Sequence, residues 1–276
     1  MISGATRVAG VIGSPVRHSL SPALHNAAFA QLAVDWVYAA FEVAPGSAPA
    51  ALEAMRALGL GGLSVTMPHK EAVATAVDAF DPAAAALRSV NTVVPQADGS
   101  LKGYSTDGAG FVASLAAAGV TVAGRSMCVL GAGAAARSIV DALARDGAAR
   151  ITVVNRTAST AHDAVQLAGG VGVVGSPADV RDADIVVNAT SVGMGADELP
   201  CDPALLRAGQ VVADLVYHPR VTALLRAAHA AGAHPVDGLG MLVHQAALQQ
   251  QLWHGLLPDV AVMAAAAERE LAARRQ

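Results

Sequence analysis

Lysine is almost missing from this chain. Of 276 residues, two are lysine, Lys70 and Lys102, against sixteen arginines. Sites that need only positive charge have gone to Arg. A lysine that persists marks a place for chemistry that the permanently protonated guanidinium does not supply. Taken alone, Lys70 is equally well explained as a chance residue on a loop or first helical turn, and its neighbours have to decide. Aromatic residues are scarce as well, 3% of the chain, which excludes base stacking as a main activity. Charged residues make up 14% and the formal net charge is −4, so there is no broad basic field for nucleic acid or an anionic membrane. Two cysteines, Cys128 and Cys201, are neither a disulfide framework nor a CxxC metal motif, and nine histidines include no HExxH. No run of about 18 apolar residues and no basic-then-apolar leader is found, so a reducing, cytoplasmic setting without a membrane span is expected.

What is abundant is apolar, 54% of residues, much of it the helix-former Ala. The order of signals is strand, helix, strand. Val8–Ile12 is apolar and ends in Gly13-Ser14-Pro15, and Ser21-Pro22 reads as an N-cap followed by first-turn Pro. Helices are expected over 47–58 and 71–79, with a strand over Leu63–Thr66 between them. The alternation is stronger further on. Strands are expected at Met127–Leu130, Ile151–Val154, Ile185–Val187 and Val211–Ala213, with a helix over Ala134–Asp146. After Asp237-Gly238-Leu239-Gly240 two helices close the chain, over 241–257 and 259–275. This is the pattern of an α/β fold with parallel sheets, in two domains that meet where polar and Gly residues interrupt it, near Gly103–Asp107.

Gly131-Ala132-Gly133-Ala134-Ala135-Ala136 reads G-x-G-x-x-A, directly after one strand and opening one helix. In that context the glycines permit a tight turn and close approach of a pyrophosphate, and the helix N-terminus supplies N–H groups. At the end of the next strand, where an NAD enzyme carries Asp or Glu, the chain has Asn155-Arg156-Thr157. An Arg there clamps a 2′-phosphate that a carboxylate would repel, so NADP(H) is favoured over NAD.

Together these motifs resemble the shikimate dehydrogenase family. The matching segments are Gly13–Pro22, Val65–Lys70, Val90-Asn91-Thr92, Ser105–Gly108, the glycine loop, Asn155–Thr157, Asn188–Met194, Asp214–Pro219 and Asp237–Gln245, in the family's order along nearly the whole chain. The resemblance implies a substrate domain over 1–105, completed by the C-terminal helices from 238 to 276, and a Rossmann NADP domain over 106–237. It implies reversible reduction of 3-dehydroshikimate to shikimate. It assigns Lys70 and Asp107 as the catalytic pair, Ser19 and Ser21 to the substrate carboxylate, and Thr66, Asn91 and Gln245 to ring hydroxyls. Tyr217 lines the substrate end. Cofactor contacts fall on Gly131, Gly133, Ala134, Ala135, Ala136, Asn155, Arg156, Thr157, Thr190, Ser191, Leu215, Gly238 and Met241, and no metal is implied.

The pair makes chemical sense, since an ammonium stabilises and protonates the oxygen of a ketone under hydride attack, and a carboxylate holds the ammonium. Plainer readings compete with several roles. Ser21 also suits a helix cap, Asn91 a loop brace, Asp107 the N-cap of a helix from Gly108, and His69 a solvent-facing or capping position. The chain departs from the family at Ser64 and Ser105, where Asn is usual, and in lacking a second basic residue in Ala158-Ser159-Thr160. Each Ser removes an amide, so water-mediated contacts and a slightly larger pocket are expected there. Quinate or an amino analogue as substrate, and a non-catalytic ligand sensor, are the competing functions. A small molecule is the expected partner. The Ala-rich C-terminal helices either pair two copies into a homodimer or cover their own core.

Overall fold

The computed structural model describes residues 2–274. The chain forms two units: one runs to Thr106 and resumes at Val243, the other spans Asp107–Leu242.

The first unit contains β1 (Arg7–Gly13), α1 (Ser21–Gln31), β2 (Trp36–Glu42), α2 (Ala48–Leu58), β3 (Gly62–Val65), α3 (Lys70–Ala74), β4 (Ala79–Phe80), α4 (Pro82–Leu87), β5 (Thr92–Pro95) and β6 (Leu101–Tyr104). Its six strands are ordered β2-β1-β3-β5-β6-β4. The expectation of parallel pairing holds for β1 with β2 and β3, while β5 runs antiparallel to both β3 and β6. A hairpin makes the reversal from β5 to β6, whereas β3 and β5 are joined through α3, β4 and α4. Asp98-Gly99 turns the chain between β5 and β6, Gly99 taking the φ of +85° that glycine tolerates. The helix expected over 71–79 ends at Ala74 and its last expected residue is already in β4. An Ala- and Val-rich segment has propensity for either, and pairing with β6 decides it. Ser21 is not an N-cap: Leu20 holds that position and no side chain caps the helix.

The second unit begins with α5 (Asp107–Ala117), which starts at Asp107 itself rather than being capped by it. It continues with β7 (Ser126–Leu130), α6 (Ala134–Arg145), β8 (Arg150–Val154), α7 (Ala158–Gln166), β9 (Gly172–Val174), β10 (Ile185–Asn188), β11 (Val211–Asp214), α8 (Ala223–Ala230) and β12 (His234–Val236). All pairings in its sheet, ordered β12-β11-β10-β7-β8-β9, are parallel. Strands buried on both faces read as unbroken apolar runs, which is why β7 and β10 were legible. Phe111, Ile139, Val140 and Leu143 pack on one face of the sheet, and Val180, Leu206 and Leu224 on the other. The order reverses between β7 and β10, and a crevice at such a switch point is where doubly wound sheets bind ligands.

Two helices end the chain, α9 (Gly238–His254) and α10 (Val260–Ala273). From Val243 onward they belong to the first unit, where α10 packs along α1.

Candidate active site

In the first unit the expected substrate residues gather around Asn91. Its carbonyl accepts from Val65 N at 2.7 Å, one residue before Thr66, and Val90 N donates to Lys70 O at 3.1 Å. Thr66 and Lys70, both half-buried, are thereby strung along the turn from β3 into α3. The Asn91 side chain is buried and works in the opposite direction along the chain. Oδ1 accepts from Thr106 N and from Thr92 Oγ1, each at 2.8 Å, and Nδ2 donates to Thr106 Oγ1 at 3.0 Å. Asp107 is the next residue, so the loop brace expected as an alternative role for Asn91 is real and sets the chain just before the candidate carboxylate.

Gln245 enters this cluster from α9. Gln249, one turn on, donates from Nε2 to Gln245 Oε1 at 2.9 Å and to Asn91 O at 3.4 Å. Ser64 is not held through water. It lies in β3, accepts from Tyr38 Oη at 2.7 Å and donates to Gln249 Oε1 at 2.7 Å. Tyr38 and Gln249 are residues that sequence reasoning missed. Tyr38 sits in a strand whose alternation was not read, and Gln249 in a helix whose apolar stretches conceal three buried glutamines.

Ser19 and Ser21 flank the start of α1. Ser21 N donates to Ser19 Oγ at 3.2 Å, and the guanidinium of Arg274, beyond α10, donates to the carbonyls of His18 and Ser19. The final helix thus pins the loop bearing the hydroxyl pair. His69 takes the N-cap position of α3 without a side-chain cap, and the solvent-facing alternative is overturned: it is 1% exposed, with Nε2 at 2.8 Å from Val43 O.

The second unit presents the residues expected to bind the nucleotide. Gly131 has φ +108°, and a Cβ there would meet Ala189 O and Thr190 Cγ2, each at 3.0 Å. The turn requires glycine because the loops after β7 and β10 nearly touch. Gly133 is the N-cap of α6; a Cβ added there would have nothing within 4 Å, and no side chain caps the helix. Backbone N–H groups of the first turn, at Ala134, Ala135 and Ala136, are therefore free of side-chain competition and fit a pyrophosphate. Asn155 donates to Thr157 O at 3.1 Å and to Thr160 Oγ1 at 2.6 Å, shaping the loop that carries the exposed Arg156. These features fit NADP(H): open backbone donors for the pyrophosphate and a cation for the 2′-phosphate.

A buried amide–carboxylate network supports the remaining loops. Asn188 donates to Asp214 Oδ1 at 2.8 Å, and its own Oδ1 accepts from Thr190 N and Oγ1 at 3.1 and 2.7 Å. Thr222 Oγ1 and Val216 N donate to Asp214 at 2.6 and 3.0 Å. Burial raises the Asp214 carboxyl above its usual range, against the pull of those donors. The network fixes Thr190 and, by backbone continuity, Ser191 and Leu215. Tyr217 follows, half-buried. Gly238 is indispensable for packing, since a Cβ would lie 2.4 Å from Leu215 O, and Met241 leans on the core of the unit. Among the described residues no group of three or more His, Cys, Asp or Glu is arranged to hold a metal, and no helix is long and apolar enough to cross a membrane.

Comparison with known proteins places these features in context. Family models for the shikimate dehydrogenase substrate binding domain, shikimate/quinate 5-dehydrogenase and the shikimate 5′-dehydrogenase C-terminal domain match residues 11–93, 114–194 and 238–268. A shikimate dehydrogenase (NADP(+)) of Moorella thermoacetica is 44% identical, over 95% of this chain and 92% of its own. That of Rubrobacter xylanophilus is 44% identical over 95% of each. Among solved structures, shikimate 5-dehydrogenase of Thermus thermophilus in complex with NADP(H) and shikimate has 36% identity and a TM-score of 0.89, over 96% of this chain and 99% of that one.

Proposed function

The chain belongs to the shikimate dehydrogenase family, and from that premise we propose that it reduces 3-dehydroshikimate reversibly to shikimate with NADPH, Lys70 and Asp107 serving as the proton-handling pair. The observation that carries the reading within the first unit is that hydrogen bonds of the neighbouring Val65, Val90 and Gln249 set Thr66, Lys70 and Gln245 beside the segment that bears Asn91.

Bound NADPH supplies the hydride for the substrate carbonyl. The chain's residues do the rest. Lys70 meets the developing negative charge on oxygen and delivers the proton, and Asp107 orients the ammonium. Thr66, Asn91 and Gln245 hold ring oxygens, and Ser19 and Ser21 donate to the carboxylate. Tyr217 lines the substrate end. Arg156 binds the 2′-phosphate as a charge-assisted donor, while the first turn of α6 receives the pyrophosphate. Both cysteines are free thiols, in keeping with a reducing cytoplasmic setting.

Initial rates of cofactor reduction with shikimate and with quinate, each with NADP⁺ and NAD⁺, test the reading. Turnover confined to shikimate and NADP⁺ is expected. Preference for quinate or NAD⁺ moves the chain to a catabolic relative, and absence of turnover in every combination removes the catalytic assignment.

A further inference from the structure

Tyr38, Ser64 and Gln249 have no part in the roles above, yet all three are buried, at 3%, 5% and 2% exposure, and they lead to Gln245. Their hydrogen bonds run in one direction only. The Asn91 carbonyl can only accept, so the Gln249 group facing it is the amide Nε2, which also donates to Gln245 Oε1. Gln249 Oε1 therefore faces Ser64, and Ser64 must donate to it. A hydroxyl has one proton, so Ser64 accepts from Tyr38, and Tyr38 donates. Reversing any member would set two acceptors against each other in a dry interior, which is costly. Burial raises the Tyr38 phenol above its ordinary ionisation range, so the first proton of the series stays in place.

We propose that Tyr38, Ser64 and Gln249 are positioning residues: they lock the Gln245 amide with its oxygen committed to Gln249, so that Gln245 meets the substrate as a donor and selects a ring oxygen, which accepts, over a ring ammonium, which only donates. The proposal rests on the assignment of Gln245 to the substrate. It also gives Ser64 a purpose in place of the longer amide usual at that position: a short hydroxyl passes on hydrogen-bond direction between a phenol and an amide.

The test is a double-mutant cycle on the full chain, read as KM for shikimate, KM for NADP⁺ and kcat. Ser64→Ala is expected to raise KM for shikimate about tenfold, the weight of one buried hydrogen bond, with KM for NADP⁺ unchanged and kcat little affected. In a Gln245→Ala background the same substitution should add almost nothing, because its effect passes through Gln245. Penalties that simply add, or a Ser64→Ala enzyme with unaltered KM, overturn the relay. Should Ser64→Ala fail to fold, Ser64→Cys, which keeps the volume with a weaker donor, and Tyr38→Phe carry the same measurement, each with a smaller expected rise in KM. Inhibition by an amino analogue of shikimate checks the selectivity. The unaltered chain should bind it at least about tenfold more weakly than shikimate, and Ser64→Ala should narrow that gap; equal affinity in the unaltered chain overturns the claim. If the unaltered chain does not oxidise shikimate, or Gln245→Ala leaves its KM unchanged, the substrate assignment falls and the relay with it.

Discussion

Asn91 holds Thr106 at two points, accepting from its backbone N–H at 2.8 Å and donating to its hydroxyl at 3.0 Å, with both residues buried. One side chain thus settles where β6 hands the chain on to Asp107. Asn91→Ala strands a buried N–H and a buried hydroxyl, and is expected to cost about 1–3 kcal/mol. A urea titration should show the loss, and the same variant should bind shikimate more weakly. An unchanged midpoint would mean that other groups brace Thr106.

Lys70→Ala tests the chemical step. Loss of a positioned acid is expected to lower kcat by about 10²–10⁴, with NADP⁺ binding and the thermal midpoint preserved, because Lys70 is a half-buried residue on the first turn of a short helix. An undiminished rate would sink the role.

Arg156→Ala tests cofactor choice. Losing a charge-assisted donor to the 2′-phosphate should raise KM for NADP⁺ about ten- to a hundredfold while leaving KM for NAD⁺ nearly unchanged. Equal loss with both cofactors would point to a structural role for the loop instead.

Gly131→Ala places a side chain at φ +108° and against the carbonyl of Ala189. Strain of about 1–3 kcal/mol is expected, together with loss of NADP⁺ binding. Calorimetry with and without NADP⁺ separates the two effects.

His25 predicts a pH dependence of stability. It is fully buried, stacked on Tyr38 at 4.2 Å between ring centroids, with Nε2 unpartnered and Nδ1 at 3.1 Å from Gln250. Burial lowers its pKa from 6.5 to about 3. The unfolded chain therefore takes up a proton that the folded one refuses throughout that window. Its contribution is fully present above pH 6.5 and falls by about 1.4 kcal/mol per pH unit toward pH 3. Urea midpoints at pH 7, 6 and 5 should decline more steeply for the native chain than for His25→Asn, whose amide oxygen can replace the ring acceptor. Parallel slopes would refute the attribution.

The sequence alone carried the features whose physics is local. Apolar runs buried on both faces marked β7, β8, β10 and β11; the glycine turn and the arginine just after β8 pointed to the proposed phosphate-binding loop and 2′-phosphate contact; and the near-absence of lysine singled out Lys70. What it withheld depends on partners distant in the chain. Whether 71–79 continues as helix or becomes strand is settled by β6, some twenty residues later. The antiparallel insertion of β5 depends on a hairpin and on the open edge of β3. Ser64 read as a missing amide, and became a hydrogen-bond relay only once Tyr38, 26 positions before it, and Gln249, 185 positions after it, were folded against it. Propensity and periodicity are summed over neighbours along the chain, whereas the direction of a buried hydrogen bond is fixed by every group that surrounds it, and only the tertiary structure brings those groups together.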